Sequence, residues 1–156
     1  MSTPSVTDRG EDAGAPSLLY LIGRVDRLVS GAINEIVRSH GLSVSQYTAL
    51  SVLARRSGLS NAQLARRTLV SSQSMNEVLL ALERRELVQR RAHPDHRRIL
   101  QTRLTAKGRK LLAACDAEVG QLEAAMLGRL GSREQVELRR SLLTCVHGLH
   151  GGLTGD

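Results

Sequence analysis

A mostly α-helical chain with one small β-hairpin wing, an α+β class, is what these 156 residues should form, and three patterns point to it. Apolar residues recur three or four apart over most of the chain, the period of one helix face. Serine followed three residues later by glutamine appears where that period restarts, at Ser43-x-x-Gln46, Ser60-x-x-Gln63 and Ser132-x-x-Gln135. In such a capping box the serine oxygen and the glutamine side chain close free backbone donors at a helix start. Between residues 87 and 104 the helical pattern gives way to two short strands around a loop of turn formers.

Residues 1–16 are polar, hold two Pro and two Gly and show no apolar period, so they read as a disordered tail. From Ser17 to about His40 a long helix is expected. Its stripe is Leu18, Leu21, Ile22, Val25, Leu28, Val29, Ala32, Ile33, Ile36 and Val37, and Gly41 supplies the stop. A second helix follows Ser43 and carries Val44, Tyr47, Leu50, Val52 and Leu53, ending near Gly58. A short capped helix from Ser60 to about Thr68 then meets a three-residue turn and a longer capped helix, about Ser72 to Arg85. Ala65 is small enough to let those two helices approach closely.

The longer of the two turns Met75, Val78, Leu79 and Leu82 inward and shows Gln73, Asn76, Glu77, Leu80 and Arg84 on its opposite face. Strands follow at about Leu87–Ala92 and Ile99–Leu104, joined by His93-Pro94-Asp95-His96-Arg97. Thr105 caps the next helix, with Leu111, Leu112, Cys115, Val119, Leu122, Ala125 and Met126 as its stripe and an end near Gly128 to Gly131. A last helix runs from about Arg133 to His147 through Val136, Leu142, Leu143 and Val146, and the end from Gly151 should fray.

Helix, turn, helix and an arginine-bearing hairpin in this order form a winged helix-turn-helix, which lays one helix in the DNA major groove and a ribbon beside it. The charge agrees. The chain carries a net +7, yet residues 55–110 hold 14 Arg/Lys against 4 Asp/Glu, a balance of +10 that leaves −3 for the rest. Twenty of the 22 basic residues are arginine, the side chain suited to forked phosphate and guanine contacts. Gln73 and Asn76 can pair bidentately with adenine, while Ser72, Ser74 and the helix N-terminus suit phosphate. Arg90, Arg91, Arg97, Arg98 and Arg103 populate the ribbon.

Other function classes find little support. With no Trp or Phe, and Tyr20 and Tyr47 the only aromatics of that kind, bases of single strands have almost nothing to stack on. No apolar run approaches the ~20 residues of a membrane span, and the N-terminus does not read as a signal peptide, so a cytoplasmic protein is expected. Cys115 and Cys145 are too few and too distant for a disulfide scaffold and read as buried reduced thiols. His93 and His96 lack a third ligand, so neither a metal nor another cofactor is expected. An enzyme is not expected either, since no nucleophile–base pair, metal cluster or phosphate-cradling glycine loop appears.

The first helix and the last two lie at opposite ends of the chain and all carry apolar stripes that the central unit is too small to cover. Packing them against a second copy would bury them, and a twofold dimer would present two reading heads to a palindromic site. Residues 17–150 are accordingly expected to form one domain, with 17–41 and 106–150 as dimerisation helices and 43–105 as the DNA-binding region.

These residues carry a family resemblance. Leu42-Ser43-x-x-Gln46-Tyr47-x-x-Leu50, Asn61-Ala62-Gln63-Leu64-Ala65, Val70-x-x-Gln73-Ser74-Met75-Asn76, Leu82-Glu83-x-x-x-Leu87-Val88-x-Arg90 and Arg98 through Leu104-Thr105-x-x-Gly108 occur in this order over about 65 residues. The chain resembles the MarR family, the multiple antibiotic resistance regulators. The resemblance implies a homodimeric transcription factor, usually a repressor, released from its palindromic operator by a small, often aromatic or phenolic ligand between its two regions. It places Ser72, Gln73, Ser74 and Asn76 at the major groove and Arg97 or Arg98 in the minor groove. Ser60, Asn61, Ser71, Arg84 and Arg90 complete the expected DNA contacts.

One departure concerns the wing. The family's usual aspartate two residues before the wing arginine falls on His96, with Asp95 one place early. Either His96 replaces it and Arg98 is the tip arginine, or the wing has one extra residue and Arg97 is. Effector candidates are Tyr20, Arg24, Arg27, His40 and Tyr47, where arginines would suit a carboxylate or an acyl-coenzyme A. The alternatives are a winged-helix architectural or interaction protein and a thiol-based redox regulator. The second is disfavoured because the family's peroxide-sensing branch keeps a cysteine in the first helix and this chain has none there.

Overall fold

A computed structural model describes residues 15–153, with side chains through residue 149. The expected tail therefore lies, through residue 14, outside the described residues, as do residues 154–156. Within them the chain runs α1 (Leu18–Ser39), α2 (Val44–Arg55), α3 (Asn61–Thr68), α4 (Ser72–Arg84), β1 (Val88–Ala92), β2 (Leu100–Leu104), α5 (Ala106–Leu127) and α6 (Ser132–Leu153). The fold is mostly helical with one antiparallel hairpin, as expected.

Helix starts follow the local chemistry. Ser43 and Ser60 form complete capping boxes with Gln46 and Gln63. Ser17, Ser71 and Thr105 each accept a hydrogen bond from the backbone N–H three residues on. The third expected box does not form. Ser132 is already inside α6, and the Glu134 carboxylate accepts from Gly131 N at 2.7 Å instead. Gln135 turns back, its Nε2 donating to the carbonyls of Leu127 and Leu130 at the end of α5. α6 also continues to Leu153, past both the expected end at His147 and the expected fraying point at Gly151.

Two helix ends share one design. After α1, Gly41 N donates to Arg38 O and Leu42 N to Val37 O, with Gly41 at φ +69° and the buried Leu42 and Val37 at the two ends of the motif. After α4, Glu86 N donates to Glu83 O and Leu87 N to Leu82 O, again with both leucines buried. Both are Schellman motifs, whose left-handed position favours glycine, yet the second holds Glu86 at φ +60°.

The core is aliphatic and central. Leu50 and Leu53 of α2, Leu64 and Ala65 of α3, Met75, Leu79 and Leu82 of α4, and Val88 and Leu104 of the hairpin are buried together with Leu112 and Cys115 of α5. From α1 only Val37 is buried. Leu59 adds a bridge to Thr102, so the hairpin gains a short third edge that ties it to the start of α3. α5 begins against the α4–β1 turn: Thr105 Oγ1 donates to Glu86 O at 2.7 Å, and Gly108 sits so close to Leu87 that an added Cβ would lie 2.0 Å from its carbonyl oxygen.

The remaining apolar surface is outside. Leu18, Leu19, Ile22, Val25 and Leu28 of α1 and Val136, Leu142, Leu143, Val146 and Leu149 of α6 are exposed.

Candidate nucleic-acid interface

The α3–α4 junction is built from its own residues. Leu69 takes the left-handed conformation at φ 56°, and Val70 N returns to Ala65 O. Ser71 then caps α4 by accepting from Ser74 N at 3.0 Å, while its hydroxyl donates to Ser74 Oγ at 2.9 Å. Asn61 closes the corner, its Nδ2 donating to Ser72 O at 2.9 Å. Of the expected DNA-contacting residues, Asn61 thus has its Nδ2 committed to joining the two helices, while Ser60 and Ser71 have hydroxyls committed to capping α3 and α4.

The first turns of α4 leave other groups open. Ser72 and Gln73 are exposed, and among the described residues their side chains make no hydrogen bond. Asn76 is exposed one turn further on, and Arg84 ends the helix about 18 Å from Ser72 along its axis. Backbone N–H groups of this N-terminus and its positive end of the helix dipole add to the attraction for a phosphate.

Arg90 is held inside the fold. Its Nε and Nη2 donate to Glu83 Oε2 at 3.0 and 2.7 Å, its Nη1 donates to Asn76 Oδ1 at 3.3 Å, and its side chain is only 15% exposed. Arg90, expected among the DNA contacts, uses three of its guanidinium donors to join the wing to α4. The glutamate and the arginine are visible in the sequence, but their meeting depends on how β1 folds back along the helix.

The wing loop is longer than expected and spans residues 93–99. His93 N donates to Ile99 O and Ile99 N to His96 O, both at 2.8 Å, which makes His96–Ile99 a β-turn. Arg97 and Arg98 are its two central residues, both exposed. Arg98 also lines a groove of about 460 Å³ between the wing and the starts of α3 and α4, shared with Ser60, Asn61, Ser72 and Asn76. Two of its lining residues carry buried side-chain oxygens without a partner among the described residues, Asn61 Oδ1 and Thr102 Oγ1. The rings of His93 and His96 lie 5.4 Å apart, and no group of three or more metal-ligating residues occurs among the described residues.

A family model described as MarR family matches residues 40–99, from the end of α1 through the wing loop. Over 133 residues the chain is 38% identical to the HTH-type transcriptional repressor Rv2887 of Mycobacterium tuberculosis, covering 85% of this chain and 93% of that one. The chain belongs to the MarR family. The solved structure of the MarR family protein Rv2887 of Mycobacterium tuberculosis in complex with DNA matches at TM-score 0.70 and 34% identity, over 83% of this chain and 98% of that one. Its complex with p-aminosalicylic acid matches at TM-score 0.67 with the same identity and coverage.

The effector candidates of this MarR-family regulator separate into two places. Arg24 stacks over the Tyr20 ring at 5.8 Å and, with Arg27, belongs to the exposed early part of α1. His40 lies about 20 to 30 Å further along that helix axis. It pairs with Glu118 of α5 at 2.7 Å, and Tyr47 donates to Asp116 at 2.8 Å. Within one chain the five residues therefore do not line one cavity, and His40 and Tyr47 face carboxylates rather than arginines. Burial, then the Asp116 hydrogen bond, pushes the Tyr47 hydroxyl above its ordinary range.

The thiols also divide. Cys115 is buried as expected, whereas Cys145 is exposed on α6. Burial, then the charges of Asp116 and Glu118, raises the Cys115 thiol and leaves it a poor thiolate. Among the described residues no helix is long and apolar enough to cross a membrane.

Proposed function

We propose that this regulator is a homodimeric repressor that reads a palindromic operator through the outward face of α4 and is released by a small ligand. The observation that carries this reading is the pairing of an exposed α4 face, Ser72, Gln73 and Asn76, with a two-arginine turn on a wing locked to the same helix. Ser72 and Ser74 would sit at the phosphates with Ser60 capping α3 beside them, Gln73 and Asn76 at base edges, Arg84 at the backbone beyond, and Arg97 or Arg98 in the minor groove. Ser71, Asn61 and Arg90 would act by holding this surface in shape. The DNA complex of the relative supports DNA as the partner.

The exposed apolar faces of α1 and α6 support the dimer. A 22-residue helix such as α6, with little of its own chain to pack on, needs tertiary burial to persist in water. A released ligand site is supported by the relative's complex with p-aminosalicylic acid. In this chain the apolar groove of Val25, Leu28, Val29, Leu122, Ala125 and Met126 between α1 and α5 offers such a ligand a wall, completed by the second copy.

Sedimentation of the chain with a footprinted duplex tests the reading. A discrete palindromic footprint with two chains per duplex, lost on adding an aromatic acid, is the expected outcome. A monomer that coats any duplex without a footprint would overturn it.

A further inference from the structure

Asn76 is not a free amide. A guanidinium carries donors and no acceptor, so the group of Asn76 that faces Arg90 Nη1 must be its oxygen. Arg90 in turn cannot swing away easily. It is fixed by two hydrogen bonds to Glu83 on α4 and by its place in β1, where it pairs with Thr102 of β2. The Asn76 Nδ2 has no partner among the described residues, and Asn76 is exposed on the outward face of α4. Gln73, three residues earlier, is exposed with neither end of its amide engaged.

We propose that Arg90 sets the base preference of Asn76: by drawing its carbonyl oxygen toward the wing it fixes the turn of the amide and leads with the Nδ2 donors, so that Asn76 favours base-edge acceptors over adenine's donor–acceptor pair. In the major groove adenine shows the N6 amino donor beside the N7 acceptor, guanine shows two acceptors at N7 and O6, and thymine shows O4. An asparagine free at both ends matches adenine. With its oxygen turned to Arg90, it matches guanine or thymine better, because that oxygen is drawn away from the position bidentate pairing with the N6 amino group needs. Gln73 keeps the adenine option. Arg90 is thus a specificity-positioning residue that touches no base, and the two amides of one helix face read different patterns. The inference rests on the reading of α4 as the base-contacting helix.

The test uses the full-length chain and its footprinted duplex, with single-group base analogues placed one at a time in each half-site. Acceptors are deleted with 7-deazapurines for N7, 2-aminopurine for guanine O6 and 5-methyl-2-pyrimidinone for thymine O4, and the adenine donor is deleted with unsubstituted purine. At the position where Asn76→Ala abolishes base preference, deleting an acceptor should weaken wild-type binding on the order of tenfold per half-site and leave Asn76→Ala unaffected. Deleting the adenine donor there should change nothing in the wild type. In Arg90→Met, and in Arg90→Lys should the first not fold, the same position should begin to tolerate adenine.

A wild-type loss on donor deletion that vanishes in Asn76→Ala would overturn the proposal without needing any Arg90 variant. An Asn76→Ala protein with every base preference intact on a discrete operator would also overturn it, while leaving the regulator reading standing. A wild-type chain with no discrete footprint would remove both.

Discussion

Thr102 carries a hydroxyl in a residue only 1% exposed, with no partner for its oxygen among the described residues. A buried hydroxyl without a hydrogen bond costs stability, while a methyl of the same shape does not. Thr102→Val should therefore leave the fold unchanged or stabilise it by up to about 2 kcal/mol, read as a higher denaturant midpoint with an unchanged slope. A clear loss would mean that the hydroxyl finds a partner in solution. Glu86 raises a parallel question. Its Schellman position matches Gly41 in hydrogen bonding and in sign of φ, but it carries a side chain where a left-handed backbone crowds Cβ. Glu86→Gly should stabilise by about 1 kcal/mol, since the bonds from Thr105 Oγ1 and Glu86 N are to and from the backbone and survive. An unchanged or lower melting temperature would show that the Glu86 side chain contributes more than its exposed pairing with Lys107 suggests.

The elements show which parts of the molecule could be read from sequence. Caps at Ser43 and Ser60 were legible because both partners lie within one turn, and so were the inward stripe of α4 and the arginine-rich hairpin. The start of α6 was misplaced by one residue because Glu134 and Gln135 compete for the same turn, and only the position of the end of α5 decides between them. The Arg90–Glu83–Asn76 cluster, His40–Glu118 and Tyr47–Asp116 were not legible, since each joins elements whose relative placement periodicity does not encode. Gly108 is another such case. In isolation Gly108→Ala should favour α5 by about 1 kcal/mol, but the new Cβ would lie 2.0 Å from the Leu87 carbonyl, a backbone atom that cannot move alone. The clash should prevail, destabilising the chain by about 1–3 kcal/mol; a stabilised variant would mean that α5 does not seat on the α4–β1 turn as described. The α2–α5 contact also makes a pH prediction. Tyr47 and Cys115 both hold their protons more tightly in the fold than at their ordinary values of 10.0 and 9.0. The stability they contribute is fully present below those values and is lost as pH rises from them through the raised values of the fold. A melting curve from pH 7 to 11 should fall on the alkaline side, and Tyr47→Phe should flatten the fall above its ordinary 10.0; an unaltered slope in that variant would count against the buried hydroxyl.

For the whole molecule, charge and uncovered surface divide the chain into two tasks. The positive balance of residues 55–110 accompanies α3, α4 and the wing, while the exposed apolar faces belong to α1 and α6. A dimer joined through the second group doubles every contact made by the first, which gives a quantitative handle. Each phosphate contact on duplex DNA contributes about 0.9 to the slope of log K against log salt. If Arg97 and Arg98 each reach one phosphate in each chain, replacing both by alanine removes roughly four contacts and lowers the slope by about 3 to 4; if only one of them does, the slope falls by roughly 2. The decisive measurement is therefore the salt dependence of operator binding by the wild type and by the double Arg97/Arg98→Ala variant. A slope reduced by roughly 2 to 4, with weaker binding, is the result expected of a dimer whose paired wings grip the backbone; an unchanged affinity and slope would show that the wing does not touch DNA and would contradict the account.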